Sequence, residues 1–150
     1  MNNSKNKFNM TNISKCLGLI TMLLFLSLTA SCEKEGDKES PIASIETPTI
    51  GQKYYRGEVI YLNALFTDNE GLARCEISMA STKSTYGWDD PWMPETDVIQ
   101  LSGQKQQIEQ YLVFNGPIPL DIMSSAYVIN IRVFDGAGNM THYSRNIEIE

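Results

Sequence analysis

Apolar residues follow two rhythms along this chain, and the change between them divides it. From Cys16 to Ser31 the chain is uncharged and largely apolar, while from Pro41 onward apolar and polar residues alternate. Alternation at every second position puts one set of side chains on one face of a strand. Between Val59 and Thr67 it places Ile60, Leu62, Ala64 and Phe66 together, with Tyr61, Asn63 and Thr67 opposite. Ala73, Cys75, Ile77 and Met79 repeat the period, as do Tyr127, Ile129, Ile131 and Val133. Met140 to Ile149 carries Tyr143, Ile147 and Ile149, and 42–46, 98–101 and 106–114 read as further strands. No stretch of this part shows a helical period.

Turn chemistry falls between these runs. Asp68-Asn69-Glu70-Gly71 and Asp135-Gly136-Ala137-Gly138-Asn139 combine side chains that close local hydrogen bonds with glycines that accept positive φ. About seven short strands over some 110 residues would leave exposed edges in a single open sheet, so two sheets packed face to face are expected. The pattern predicts an all-β fold, an immunoglobulin-like antiparallel β-sandwich with Greek-key connections. Tyr127 precedes the core Ile129 by two residues on the penultimate strand, a tyrosine-corner position.

The first rhythm has another meaning. Lys5, Lys7 and Lys15 precede the apolar run, and Leu28-Thr29-Ala30-Ser31-Cys32 closes it. A basic region, a short apolar region and small residues at a cut describe a secretory signal. With Cys32 directly after the cut, the chain resembles a bacterial lipoprotein precursor. That resemblance implies a diacylglyceryl group on Cys32, with residues 1–31 removed and 32–40 forming a polar, flexible tether to a domain at 41–150. Thr29 stands where leucine or valine is commoner in such signals. Two alternatives are a secreted protein cut at the same place and a membrane span. Spanning needs about 20 apolar residues, and this run is shorter and diluted by Gly18, Thr21, Ser27 and Thr29. Met10 is an alternative start, since Lys15 alone still supplies a basic region. Acyl chains contribute about 0.8 kcal/mol per buried CH₂, so two or three hold a protein on a membrane.

Charge then narrows the partners. The chain has 12 basic and 18 acidic residues, a formal −6, and losing the three early lysines takes it to −9. Such a balance argues against nucleic acid, which needs a basic patch to release counterions. Anionic lipid is excluded on the same ground, leaving attachment to the acyl chains. Of three cysteines, Cys16 leaves with the signal and Cys32 is acylated, so Cys75 is left alone. One cysteine forms no internal disulfide, and the domain must be held by its core.

The segments Pro41-Ile42-Ala43, Thr47-Pro48, Gly57-Glu58-Val59, Phe66 to Leu72 and Val133 to Asn139 come in the order seen in bacterial Ig-like and cadherin-like modules. Across 41–150 the chain resembles a lipoprotein family of the Bacteroidota, domain of unknown function 4625. That resemblance implies an exported Ig-like module without known catalysis. It also implies an outer-membrane location, on the cell surface or the periplasmic face. Acidic residues just after the lipidated cysteine, here Glu33 and Glu35, are similar in kind to a surface-export signal. Cadherin-like modules gather Ca²⁺ from comparable loops, which makes Asp68, Glu70, Asp135 and Asn139 candidate ligands, with Asp37 and Glu39 arriving at the same end. Both turns are also explained as turns alone.

Catalytic signals are weak. His142 is the only histidine, Asp89-Asp90 are adjacent acids in a loop, and no nucleophile elbow, zinc helix or phosphate loop is present. The long segment from Ser81 to Glu95 holds both tryptophans, Trp88 and Trp92, beside Tyr86. Long loops are usually functional or disordered, and exposed tryptophan suits stacking on sugar rings or anchoring a protein contact. The same residues would also serve, folded back, as a lid over the sandwich edge. Two functions therefore stand side by side: a non-catalytic binding or adhesion module using Tyr86, Trp88 and Trp92 toward a glycan or envelope protein, and a structural spacer of an envelope complex. Cys32→Ala is expected to abolish palmitate labelling and move the protein from the detergent to the aqueous phase on Triton X-114 separation; continued labelling would remove the anchor at Cys32.

Overall fold

The computed structural model describes residues 36–82, 91–122 and 125–150. The chain divides at Gly36, and Gly36–Glu150 forms one unit. Eight strands follow in order: β1 (Ile42–Thr47), β2 (Gln52–Tyr54), β3 (Tyr61–Thr67), β4 (Leu72–Ser81), β5 (Asp97–Gln100), β6 (Lys105–Leu112), β7 (Ser125–Asp135) and β8 (Met140–Ile149). One sheet has the order β1-β3-β6 and the other β2-β8-β7-β4-β5. The chain crosses from β3 to β4, returns from β5 to β6, and crosses again to β7, which is an Ig-like Greek key between two sheets.

The alternating runs became the core. Ile60, Leu62, Ala64 and Phe66 are all at most 3% exposed. They lie in one buried cluster with Cys75, Ile77 and Met79 of β4, Tyr127, Ile129, Ile131 and Val133 of β7, and Ile147 and Ile149 of β8. Burying an aliphatic or aromatic side chain of this size contributes about 1.5–3 kcal/mol, and no disulfide supplements it: Cys75 is free and buried.

Three local features depart from the simple alternation. At the start of β4, Leu72 pairs with Asp135 and Arg74 with Phe134, so Ala73 is an extra residue. This bulge shifts the face by one, and Leu72 rather than Ala73 takes the first core position. In β6 a second irregularity lies opposite Asn63, where the pairing jumps from Tyr111 to Ile108. Gln110 there has φ 50°, and its N–H donates to Asn63 Oδ1 at 2.6 Å. The third is β2, a strand of three residues parallel to β8, which makes the larger sheet mixed where an antiparallel one was expected. The chain reaches it through a cis Thr47–Pro48 bond that carries it from one sheet to the other.

Polar links also cross between the sheets. Ala43 N–H of β1 donates to the Tyr143 hydroxyl of β8 at 2.8 Å. Asp97 of β5, 9% exposed, accepts from the Tyr111 hydroxyl of β6 at 2.9 Å. On the outer face of the larger sheet, Glu76 joins Arg74 at 2.8 Å and Arg132 at 2.9 Å.

Burial pushes the Cys75 thiol up to about 12, helped by the charges of Glu76 and Asp97. Tyr54 rises to about 12 through burial and then Glu58, and Tyr111 to about 12 through burial and then its bond to Asp97. A proton held more tightly in the folded state gives stability that is complete below the unfolded pKa and lost as pH rises through the folded one. Melting temperature is therefore expected to fall from about pH 9 toward pH 11. At pH 8, iodoacetamide is expected to leave Cys75 unmodified until urea unfolds the chain, read by peptide mass spectrometry. Rapid native-state labelling at Cys75 would contradict the burial argument.

Candidate functional site

Two ends of the sandwich collect the residues singled out above. At the first, β3 leads into β4 and β7 into β8, and Gly136 N–H donates to Gly71 O at 2.9 Å, joining the two turns. Asp68 builds one of them: its Oδ2 accepts from the N–H groups of Glu70 at 3.0 Å and Gly71 at 2.6 Å. Asp135 builds the other, with Oδ1 accepting from Asn139 N–H at 2.7 Å and Oδ2 from Asn139 Nδ2 at 2.6 Å.

The segment preceding β1 docks onto both turns. Asn139 Nδ2 also donates to the Asp37 carbonyl at 3.0 Å, and Asn69 Nδ2 donates to Asp37 Oδ1 at 2.9 Å. Glu39 N–H adds a third bond, to Asp37 Oδ1 at 3.0 Å, and the Thr141 hydroxyl donates to the Pro41 carbonyl. The Asn69 side chain, then the Glu39 backbone, hold the Asp37 carboxyl below the usual carboxylate range, so it stays ionised at neutral pH.

These contacts bring Asp37, Asp68 and Asp135 together, one ligand oxygen of each lying within 4.8 Å of the others. Asp135 is 3% exposed. Of the other candidates, Glu70 is exposed and stands outside the group, while Asn139 turns its amide NH₂ to Asp37 and Asp135 and acts as a strut. Among the described residues this is the group of acids suited to a metal ion. An oxygen-only donor set suits a hard cation.

Residues 29–150 match the family described as Domain of unknown function (DUF4625). The chain belongs to that family. No curated protein matches it.

At the opposite end of this DUF4625 domain, β4 leaves at Ser81, which pairs with Tyr127, and Thr82 N–H donates to Ala126 O at 3.1 Å. The segment after β2 closes on the same end, with Gly57 N–H on Ile118 O at 2.8 Å and Ile118 N–H on Glu58 O at 2.7 Å. Tyr86, Trp88 and Asp89-Asp90 lie outside the described residues, as does Cys32. Trp92 is described and half-buried. Its ring meets Phe114 edge to face, centroids 5.6 Å apart at 79°, and its N–H donates to the Tyr127 hydroxyl at 3.2 Å. The tyrosine at the corner position thus receives a backbone group from the aromatic loop. Phe114 is itself set by Asp97, which accepts its N–H at 3.1 Å and lets it hold a left-handed φ of 62°.

Sequence reasoning passed over Asp97, although it shares a strand face with Ile99 and parity alone marks it as inward. Asn69 carried no signal beyond turn composition, and Asn139, a candidate ligand by resemblance, instead donates its amide NH₂ to Asp37 and Asp135. His142 is exposed on the outer sheet face, with Nε2 3.0 Å from Asn130 Oδ1, in a row of strand residues on an open face.

Asp97→Ala strips the acceptor from both Tyr111 and Phe114. Leaving a buried donor unpartnered costs about 1–3 kcal/mol, so urea unfolding should show a loss of at least about 2 kcal/mol. Tyr111→Phe removes one bond and should cost about 1 kcal/mol. Equal effects would mean that the Phe114 bond contributes nothing.

Proposed function

We propose that this DUF4625 chain is a non-catalytic binding module, exported and held on a membrane through acylated Cys32, which presents the end of the sandwich remote from its tether. The family match opens at Thr29, so Cys32 and the small residues before it fall inside the matched span. The observation that carries the reading is the division of labour between the two ends. The entering segment is bonded to the turns at 68–71 and 135–139 through Asp37, so the tether reaches the domain at its acidic end. At the other end, large apolar side chains face solvent: Tyr55 is 57% exposed, Met93 61% and Leu120 74%. Exposed apolar groups near an aromatic loop are the usual material of a contact surface.

The partner class that fits is a protein or glycan of the cell envelope, met by aliphatic and aromatic faces without a strong charge requirement. A second reading, a structural spacer within an envelope complex, is favoured by Trp92. Its ring is packed on Phe114 instead of standing free, which is the lid arrangement a spacer needs.

Intact cells separate these readings. Protease treatment is expected to remove the domain from the surface, and a crosslinking pull-down should recover a partner with wild type but not with Met93→Ser/Leu120→Ser. Both positions are exposed, so the double variant is expected to keep the wild-type melting temperature. A partner retained by the double variant points to the spacer; a domain untouched by protease removes the surface presentation.

A further inference from the structure

Both neighbours of β3 bulge at the same residue, Asn63. On one side β1 runs from Ile45 to Thr47 while β3 moves from Ala64 to Asn63, so Glu46 is extra. On the other, β6 places Glu109 and Gln110 opposite Asn63 alone. Bulges re-aim side chains and gather beside functional sites, and this pair interrupts the middle of the smaller sheet's outer face. Centred there is a hollow of about 540 Å³ lined by Glu46, Asn63, Leu65, Gln107, Glu109 and Gln110, a volume suited to a small ligand. A second hollow of about 220 Å³ shares Asn63 and Gln110 with it and is walled by Tyr61 and Gln52. Gln110 holds its left-handed φ of 50°, a strain that non-glycine residues keep where the surroundings fix them, often at ligand sites.

The polar groups here divide into fixed and free. Asn63 is fixed, donating through Nδ2 to Thr47 Oγ1 at 2.9 Å and accepting the Gln110 N–H at 2.6 Å, and Gln107 Nε2 donates to Glu109 Oε1 at 2.9 Å. The Glu46 carboxylate, the Gln110 side-chain amide and the Tyr61 hydroxyl have no hydrogen-bond or ion-pair partner among the described residues. Tyr61 shares the outward face of β3 with Asn63 and is 44% exposed. We propose that this double hollow binds a neutral glycan, Tyr61 covering the C–H face of one sugar ring while Glu46 and Gln110 take hydroxyls of the next. A sugar hydroxyl both donates and accepts, so it satisfies a carboxylate and an amide alike, and the ring offers an apolar face for an aromatic side chain to cover. Among the described residues no lysine or arginine lines either hollow, and Glu46 and Glu109 repel phosphate, sulfate or uronate. A cationic side chain meets the carboxylates but offers no acceptor to the amide NH₂ groups of Gln52 and Gln110. The site uses none of Tyr55, Met93 and Leu120, so it stands apart from the contact surface at the far end.

The test runs the full-length protein in Triton X-100 on native gels cast with laminarin, mannan, galactan, xylan or polygalacturonate. At least one of the neutral polysaccharides is expected to retard it, and the anionic polygalacturonate is not. Glu46→Gln and Tyr61→Ala change exposed side chains, so both are expected to keep the wild-type melting temperature while weakening the retardation at least about fivefold. Met93→Ser/Leu120→Ser is expected to be retarded like wild type. Calorimetry against a trilysine peptide in about 0.15 M NaCl is expected to give no heat. Wild-type protein that runs unretarded through all the neutral polysaccharides would overturn the proposal. So would retardation that survives both Glu46→Gln and Tyr61→Ala, or that is lost in the Met93/Leu120 variant, since either places the glycan elsewhere. Heat with trilysine and no retardation by any polysaccharide would make the ligand a cationic peptide instead.

Discussion

The inward faces of β3 and β7 meet across the sandwich without any covalent link, and the placement of both ends depends on that contact. Phe66 and Leu62 of β3, with Ile60 just before it, come from one side and Tyr127, Ile129, Ile131 and Val133 of β7 from the other, each at most 1% exposed. Because Cys75 is free, nothing but packing and a few cross-sheet hydrogen bonds sets the distance between the layers. Small domains commonly use disulfides to supplement a limited core. Here the long ladders of β4-β7 and β7-β8 do that service by burying large apolar side chains, Ile77, Ile129, Ile131, Ile147 and Ile149 among them.

A core of this kind governs what the loops can do. Strand ends are held rigidly in register, so the turns that leave them start from fixed points. At one end that places Asp68 and Asp135 beside each other, because Leu72 pairs with Asp135. At the other it places the departure of the aromatic loop above Tyr127, whose hydroxyl is 3.2 Å from the Trp92 amide nitrogen. Both sites are consequences of the same pairing of β4 with β7, read at its two extremities.

Much of the fold was legible because a two-residue period leaves few interpretations. The alternation in 59–67 and 127–133 named the core of β3 and β7 residue by residue, and the turn residues located the crossings. Legibility failed where a single residue changes parity. Ala73 alternates correctly with Cys75 and Ile77, yet the bulge hands its place to Leu72, and no local composition announces a bulge. Strand β2 was invisible for a different reason: three residues, Gln52-Lys53-Tyr54, cannot display a period, and their pairing with β8 is decided 95 residues away. The acidic end was legible as two turns and an arriving segment. Which acids converge was not, since Glu70 and Asp68 look alike in sequence and only the hydrogen bonds that Asp68 accepts from the Glu70 and Gly71 N–H groups separate their roles.

The convergence at Asp37 has a mechanical meaning that neither turn has alone. A tether joined to a rigid sandwich by one covalent bond transmits orientation poorly, since each residue of a polar segment adds rotational freedom. Bonds from Asn69 and Asn139 to Asp37 remove that freedom over the last residues before β1. They do so with exposed or half-buried hydrogen bonds, which are individually worth about 0.5–1.5 kcal/mol. A joint of that strength is near the point where it opens thermally, and like charges gathered at its centre weaken it further. The chemistry of this joint, more than the sandwich itself, then determines how steadily the entering segment is held against the domain.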